Sequence, residues 1–191
     1  MKSFFLLIVA AFLLSATAMP QTIDINAQIR PRAEYKHGYK SLIGDNVDPA
    51  FAISQRSRLN MNYGSKTLNT VLSIQDVRIW GDAATANKSD VNGTMLYQVW
   101  GELFLAENFS LKAGRQVISY DDQRLFGALD WVQQGRSHDA FLVKYSPVKK
   151  VAIHLGIAYN QSADKDTGNF YTVNNYKALQ YLVLVRKPLT S

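Results

Sequence analysis

An unbroken alternation of apolar and polar residues, running from residue 23 to residue 35, constrains the fold of this chain more than any other feature. The apolar set is Ile23, Ile25, Ala27, Ile29, Pro31, Ala33 and Tyr35, and the polar set is Asp24, Asn26, Gln28, Arg30, Arg32 and Glu34. A period of two predicts a β-strand with one apolar and one polar face. At about 3.3 Å per residue, this strand is long for a soluble sandwich. Its length suits a tilted, membrane-crossing strand.

Seven more segments have strand patterns. They lie at about 51–63, 68–74, 95–105, 109–119, 139–145, 151–160 and 177–186. The phase of the third strand is ambiguous beyond Ile74, because Asp76 and Arg78 would inherit its apolar face. Either a bulge shifts the register there, or this end of the strand leaves the membrane.

The connections between these strands alternate strictly in length. Long connections lie around 37–50, 81–94, 120–137 and 162–176, and short ones at 64–66, 106–108 and 146–150. Outer-membrane barrels have short periplasmic turns and long external loops. A soluble sandwich can show the same residue alternation, but it has no reason to sort its loops by length. The pattern therefore predicts an all-β fold, an antiparallel transmembrane β-barrel, with the sandwich as the alternative.

The first 18 residues predict a cleaved secretory signal peptide. Lys2 supplies a positive charge, an apolar run covers Phe4 to Leu14, and small residues at 15–18 form a cleavage site. An anchoring helix is the alternative, but it needs about 20 apolar residues. Residues 19–191 are then the exported part, and we expect it in the outer membrane of a Gram-negative bacterium, with outer-membrane lipid as a partner.

Composition excludes several kinds of site. The chain has no cysteine, so disulfides, thiol nucleophiles and thiolate metal sites are absent. Without Lys2, the exported part has 20 Lys and Arg against 15 Asp and Glu, and a net charge of +5 is too mild to indicate a nucleic-acid partner. Nothing in the pattern points to a cofactor or specifies an oligomeric state.

The number of strands points to part of a larger barrel. A barrel of about eight strands has an interior that its own side chains fill, whereas the polar faces here carry bulky arginines. The chain ends on Arg186–Ser191, which resembles a turn leading into another strand. We therefore expect these to be the first eight strands of a larger barrel.

Several short motifs in the middle of the chain resemble the alginate-export family of outer-membrane proteins. They are Gln75-Asp76-Val77-Arg78-Ile79-Trp80-Gly81, Gly114-Arg115-Gln116, Asp122-Gln123-Arg124-Leu125-Phe126-Gly127, Asp130-Trp131 and Gly135-Arg136-Ser137-His138-Asp139. The resemblance extends from about residue 22 to 188. It is specific as a set, although each motif alone is not.

This resemblance implies a barrel of about 18 strands and a transport function. The family member that gave it its name secretes a polyuronate through an arginine-rich constriction, and other relatives look like porins. By position, the family's motif arginines correspond to Arg78, Arg115, Arg124 and Arg136, and its motif acids to Asp76, Asp122 and Asp130.

The alternation points independently to a positively charged lumen. Arg30 and Arg32 on the first strand, and Arg56 and Arg58 on the second, project to the polar face. Such a patch would attract carboxylated or phosphorylated solutes, because guanidinium groups match those oxygens in geometry and charge. The alternative is a structural network that neutralises the arginines. Its acids would be Asp24, Glu34, Asp76 and Glu102, together with the motif acids Asp122 and Asp130.

Catalytic and metal sites have little support. His37, His138 and His154 are scattered along the chain, and only His154 lies cleanly within a strand, on its polar side. Asp164 and Asp166 resemble the start of a calcium loop, but no acidic residue follows at the closing position. The sequence therefore predicts a non-enzymatic barrel. It is either a channel for hydrophilic, anionic solutes or polysaccharide, or a plugged structural or adhesive barrel that binds partners through its long loops.

Overall fold

A computed structural model describes residues 21–38, 42–44, 46–83, 85, 93–164, 166–168 and 176–186. The predicted signal peptide and the last five residues lie outside these ranges. The described residues form eight strands, which are β1 (Thr22–Lys36), β2 (Ala50–Gly64), β3 (Leu68–Ile79), β4 (Thr94–Ala106), β5 (Phe109–Gln116), β6 (His138–Val148), β7 (Val151–Tyr159) and β8 (Ala178–Arg186). Among the described residues, no helix has the length and apolar character needed to span a membrane.

All eight strands belong to one antiparallel sheet in which each strand pairs with the next along the chain, from β1 to β8. Short turns join β2 to β3, β4 to β5 and β6 to β7, while the other four connections are long. This confirms the predicted all-β fold and its order of long and short connections. The sheet is part of a β-barrel wall.

Strand pairing defines two faces of the sheet. Arg30 lies opposite Arg56 on one face, and Ile25 lies opposite Met61 on the other. We call the face with the arginines the polar face and the opposite one the outer face. Ile25 is 59% exposed and Leu184 of β8 is 70% exposed, whereas Arg56 and Gln75 are almost fully buried.

A soluble sandwich would bury its apolar face against a second sheet. Here the apolar side chains of the outer face are exposed, whereas polar side chains of the opposite face, such as Arg56, Ser73 and Gln75, are buried. This inverted burial is what a barrel in lipid requires, since its outward residues meet acyl chains and its inward residues meet water or one another.

The structure places a bulge on β4 and not on β3, where the sequence left the phase beyond Ile74 ambiguous. The register between β3 and β4 shifts where Ser73 pairs with Gln98 and Ile74 pairs with Leu96, so Tyr97 is the extra residue. Alternation in β3 itself continues, and Asp76 and Arg78 remain on the outer face. Sequence periodicity placed Tyr97 among the apolar residues of β4. The bulge instead turns its ring to the polar face, where it is 3% exposed.

Candidate functional site

The long connection between β5 and β6, residues 117–137, packs on the polar face, and we call it the inner segment. Two of its carbonyls, those of Asp130 and Val132, accept hydrogen bonds from Arg30 of β1, at 2.6 and 2.7 Å. Near its start, Tyr120 bonds His154 of β7 at 3.0 Å and contacts the ring of Tyr181 of β8. Contacts with both the first and the last strands mean that the sheet curves around this segment.

Three arginines of the polar face surround one carboxylate of the inner segment. Arg56, whose side chain is fully buried, donates to Asp130 Oδ1 at 2.8 Å. Arg58 lies 3.4 Å and Arg30 lies 3.9 Å from the same carboxylate. One negative charge therefore faces three positive ones, and we call these four residues the arginine cluster.

Neutral amides satisfy most of the remaining donors of the arginine cluster. Arg56 Nε donates to Gln28 at 3.0 Å, Arg58 donates to Gln75 at 2.8 Å, and Arg30 Nε donates to Gln133 at 3.0 Å. Buried polar groups must be hydrogen-bonded to be tolerated. Because these partners carry no charge, they satisfy the hydrogen-bond donors of the guanidinium groups without cancelling their positive charge.

The arginines change the acidity of Asp130. Partial burial alone would raise the pKa of its carboxyl. The hydrogen bond from Arg56 and the charges of Arg56, Arg58 and Arg30 outweigh burial and lower the pKa below its usual value. Asp130 is thus held ionised, and the inner segment is bound to the sheet by charge as well as by hydrogen bonds.

Tyr97 connects the bulge on β4 to the arginine cluster. The guanidinium of Arg58 stacks on its ring, 3.6 Å from the centroid, as a cation–π pair. Gly135 of the inner segment, at φ +69°, lies against the same ring, and a Cβ there would approach the ring carbons to 2.9 Å. The bulge therefore supplies the surface on which the end of the inner segment rests.

Arg32 lies beside the arginine cluster and is more accessible. It donates to the carbonyl of Trp131 at 3.1 Å and lies 3.4 Å from Glu34, and 39% of its side chain is exposed. Glu34 is shared, since Lys36 also lies 3.4 Å from it. Arg32 is therefore more exposed than the arginines of the cluster, and the carboxylate that it contacts is shared with Lys36.

A second charged cluster lies on the polar face, towards the short-turn end of β4 to β6. Glu102 accepts from Lys144 at 2.9 Å and from Ser110 at 2.7 Å. Lys112 lies over the ring of Trp100, 3.5 Å from its centroid. Sequence reasoning missed both lysines. Each projects to the polar side of its strand, but only the cross-strand register shows that they flank the same carboxylate.

The four arginines that the resemblance indicated do not join the arginine cluster. Two of them are on the outer face, where Arg78 pairs with Asp76 at 2.6 Å and Arg115 pairs with Asp139 at 2.8 Å. Both lie at the long-connection ends of their strands. The prediction that these two arginines lie in the lumen does not agree with their register. Both β3 and β5 keep strict alternation up to these positions, which puts Arg78 and Arg115 on the outer face.

The other two belong to the inner segment. Arg124 is exposed and pairs with Asp122 at 2.6 Å. Arg136 has its backbone N–H bonded to the carbonyl of Ala128 at 2.7 Å. Neither touches the carboxylate of Asp130.

The acids expected to neutralise the arginines behave differently from one another. Asp130 does pair with arginines, and Glu34 contacts Arg32. Asp24 instead accepts from Asn26 and Asn62, both at 3.0 Å, and Glu102 pairs with Lys144 rather than with an arginine. Distance along the strands explains both differences, since Asp24 and Glu102 lie at the short-turn end and the arginines lie nearer the other end.

The histidines are separate from one another. His154 does face the polar side, His138 bonds the hydroxyl of Tyr176 at 2.8 Å, and His37 bonds the carbonyl of Val47 at 2.9 Å. Asp164 and Asp166 are exposed. Within the described ranges there is no group of three or more side chains suited to hold a metal ion.

Comparison with known proteins agrees with this architecture. The alginate export family matches residues 21–159, a range that contains β1 to β7 and the whole inner segment. The comparisons with curated proteins and with solved structures find no match. The family match covers most of the chain, and it includes every residue of the arginine cluster. This chain therefore belongs to the alginate export family.

Proposed function

We propose that this chain forms part of the wall of an outer-membrane channel, through which hydrophilic, anionic solutes or a polyuronate-like polysaccharide diffuse. The family is one of outer-membrane channels rather than enzymes, and the proposal assigns the chain no catalytic step. In this arrangement the outer face contacts lipid and the polar face lines the lumen.

The charge balance of the polar face supports the preference for anions. Its cations are Arg30, Arg32, Lys36, Arg56, Arg58, Lys112 and Lys144, and the acids facing them are Asp24, Glu34, Glu102 and Asp130. The observation that carries the proposal is that three of these guanidiniums share the single carboxylate of Asp130. Fixed positive charge on low-dielectric walls raises the local concentration of anions and lowers that of cations.

The inner segment gives the lumen its constriction. It occupies space inside the curved sheet and contacts strands from β1 to β8, so a solute must pass along the surface of the segment that faces away from the sheet. Arg32 and Arg30 border that surface with 39% and 29% of their side chains exposed. A passing carboxylate would therefore meet guanidiniums at the narrowest part of the path.

Single-channel recording in planar bilayers, with the full-length protein, tests this proposal. We expect stepwise currents and a reversal potential, in a salt gradient, that indicates anion preference. Asp130→Asn should strengthen that preference, because it removes the one acid among three arginines. Asp122→Asn is the matched control, since Asp122 lies on the same segment but pairs with exposed Arg124. A strong cation preference in the unmodified protein would refute the arginine argument.

The second candidate is a plugged structural or adhesive barrel that binds partners through its long connections. The same inner segment favours it, because a segment held by a buried arginine could close the lumen. Recording separates the two functions. A protein that inserts and folds but gives no stepwise current, even with Asp130→Asn, would be a plugged barrel.

A further inference from the structure

We propose that two arginines of the outer face, Arg78 and Arg115, bind the phosphate groups of lipid headgroups in the outer leaflet of the membrane. Both side chains lie on the side of the wall away from the lumen, so the proposed channel path does not use them. The inference rests on the proposed function for the position of the barrel in the outer membrane. It adds an interaction surface to the wall.

The outer face changes from apolar to charged along β3, β5 and β6. Toward the short turns its residues are apolar, as in Leu72 of β3 and in Leu111 of β5, which lies opposite Val143 of β6. Toward the long connections the outer positions are charged. They are Asp76 and Arg78 on β3, Arg115 on β5 and Asp139 on β6, with Arg115 directly opposite Asp139.

Depth in the membrane accounts for this change. A charge that faces the hydrocarbon core destabilises a barrel strongly, and this cost falls close to zero at the level of the headgroups. The charged positions therefore mark where the outer face meets the headgroups. Because the long connections of an outer-membrane barrel are external, these headgroups belong to the outer leaflet.

Trp80 is an independent sign of the same level. It lies two residues beyond Arg78, is 57% exposed, and donates its indole N–H to Gln55 of the outer face at 3.0 Å. Gln55 in turn lies opposite Arg78. Tryptophan is enriched where a membrane protein passes from hydrocarbon to headgroups, since its ring is apolar and its N–H is polar.

The ion pairs of the two arginines leave room for a phosphate. Arg78 contacts Asp76 through Nε at 2.6 Å, and 45% of its side chain is exposed. Arg115 contacts Asp139 through Nη1 at 2.8 Å, and 32% of its side chain is exposed. A guanidinium has several N–H donors in a fork that matches phosphate oxygens. The carboxylates therefore orient the arginines, and a phosphate can bind without breaking either ion pair.

A lipid suits this surface better than a free phosphate ion does. The outer face next to each arginine, toward the short turns, is apolar at Ile74 and Ala113 and beyond. Acyl chains attached to the same headgroup would pack there and add apolar contact to the charge interaction. A free phosphate ion gains only the contact with the guanidinium.

Binding of lipid A to the full-length protein in detergent micelles, followed by native mass spectrometry, measures this surface. Lipid A should bind more tightly than its dephosphorylated form, which has the same acyl chains. We expect Arg78→Gln or Arg115→Gln to weaken binding of lipid A by about fivefold, and the double variant by roughly 30-fold. Arg124→Gln is the matched control, because Arg124 forms the same kind of ion pair, with Asp122 at 2.6 Å, on the inner segment. It should bind lipid A as the unmodified protein does.

Equal binding of the two lipid forms to the unmodified protein would overturn the inference, and this comparison needs no variant that must fold. Equal weakening by Arg124→Gln and Arg78→Gln would also overturn it. Inorganic phosphate should not displace lipid A, and displacement at equal concentration would refute the assignment to a lipid. Single-channel currents are recorded separately. Failure of lipid binding therefore leaves the channel function standing, and absence of current would count against the channel function alone.

Discussion

Replacing Arg56 with methionine tests whether the buried guanidinium holds the inner segment on the sheet. Methionine keeps an unbranched apolar side chain at this position but removes the guanidinium, with its donors and its charge. Arg56 is fully buried and donates to Asp130 at 2.8 Å and to Gln28 at 3.0 Å. A hydrogen bond to a charged group contributes about 1.5–3 kcal/mol. Asp130 is half exposed and keeps Arg58 and Arg30 nearby, so we expect a loss near the lower end, about 2 kcal/mol.

Hydrogen exchange of the amides of residues 117–137, in the folded protein in micelles, measures this loss. A change of about 2 kcal/mol corresponds to roughly 30-fold faster exchange when exchange reports the opening equilibrium. Arg124→Met is the control, because the Arg124–Asp122 pair is on the same segment but highly exposed, and such pairs stabilise little. If Arg56→Met exchanges within threefold of the unmodified protein, or if Arg124→Met accelerates exchange equally, the buried guanidinium does not anchor the segment.

Three further predictions concern other parts of the wall. The folded-state pKa of Asp130 is lowered, so its ionised carboxylate stabilises the folded protein fully above its ordinary pKa, near 4, and this contribution is lost as pH falls through the lowered value. Hydrogen exchange of the inner segment should therefore accelerate only in acid. Acceleration between pH 6 and 8 would contradict this. Gly114→Ala should destabilise the barrel by about 1–3 kcal/mol, since Gly114 has φ +120° and its Cβ would meet the backbone of β4; denaturant unfolding followed by gel mobility checks it, with Ala113→Gly as a milder comparison. Lys144→Met should destabilise the folded protein more than Lys112→Met in the same assay, because the loss of Lys144 leaves Glu102 with only Ser110 as a direct partner. Equal effects of the two substitutions would argue against the pairing of Lys144 with Glu102.

The wall of this barrel could be predicted from sequence, because a period of two and sorted loop lengths are local signals. Strand bounds agree to within a few residues, and the polar positions of Arg30, Arg32, Arg56 and Arg58 follow from alternation alone. These same signals contain no information on what a long connection does. That residues 117–137 fold inward depends on contacts about 100 residues apart in the chain, such as the bond from Arg30 to the carbonyl of Asp130.

Motif resemblance was informative about the family and less so about the position of individual side chains. It indicated Asp130, which lies at the centre of the arginine cluster. It also indicated Arg78 and Arg115, which are on the outer face. A motif residue can lie on the outer face near the end of a strand as well as on the polar face, and only the register of the strand distinguishes the two positions.

The extra residue at Tyr97 divides β4 into two halves of opposite parity. Even-numbered residues point outward before it, as Leu96 does, and inward after it, as Gln98 and Trp100 do. An insertion or deletion within β4 would therefore be tolerated differently on its two sides. Removing one residue at the bulge would restore regular pairing but would take away the ring that Arg58 and Gly135 both contact, so the seating of the inner segment depends on a single irregularity in the wall.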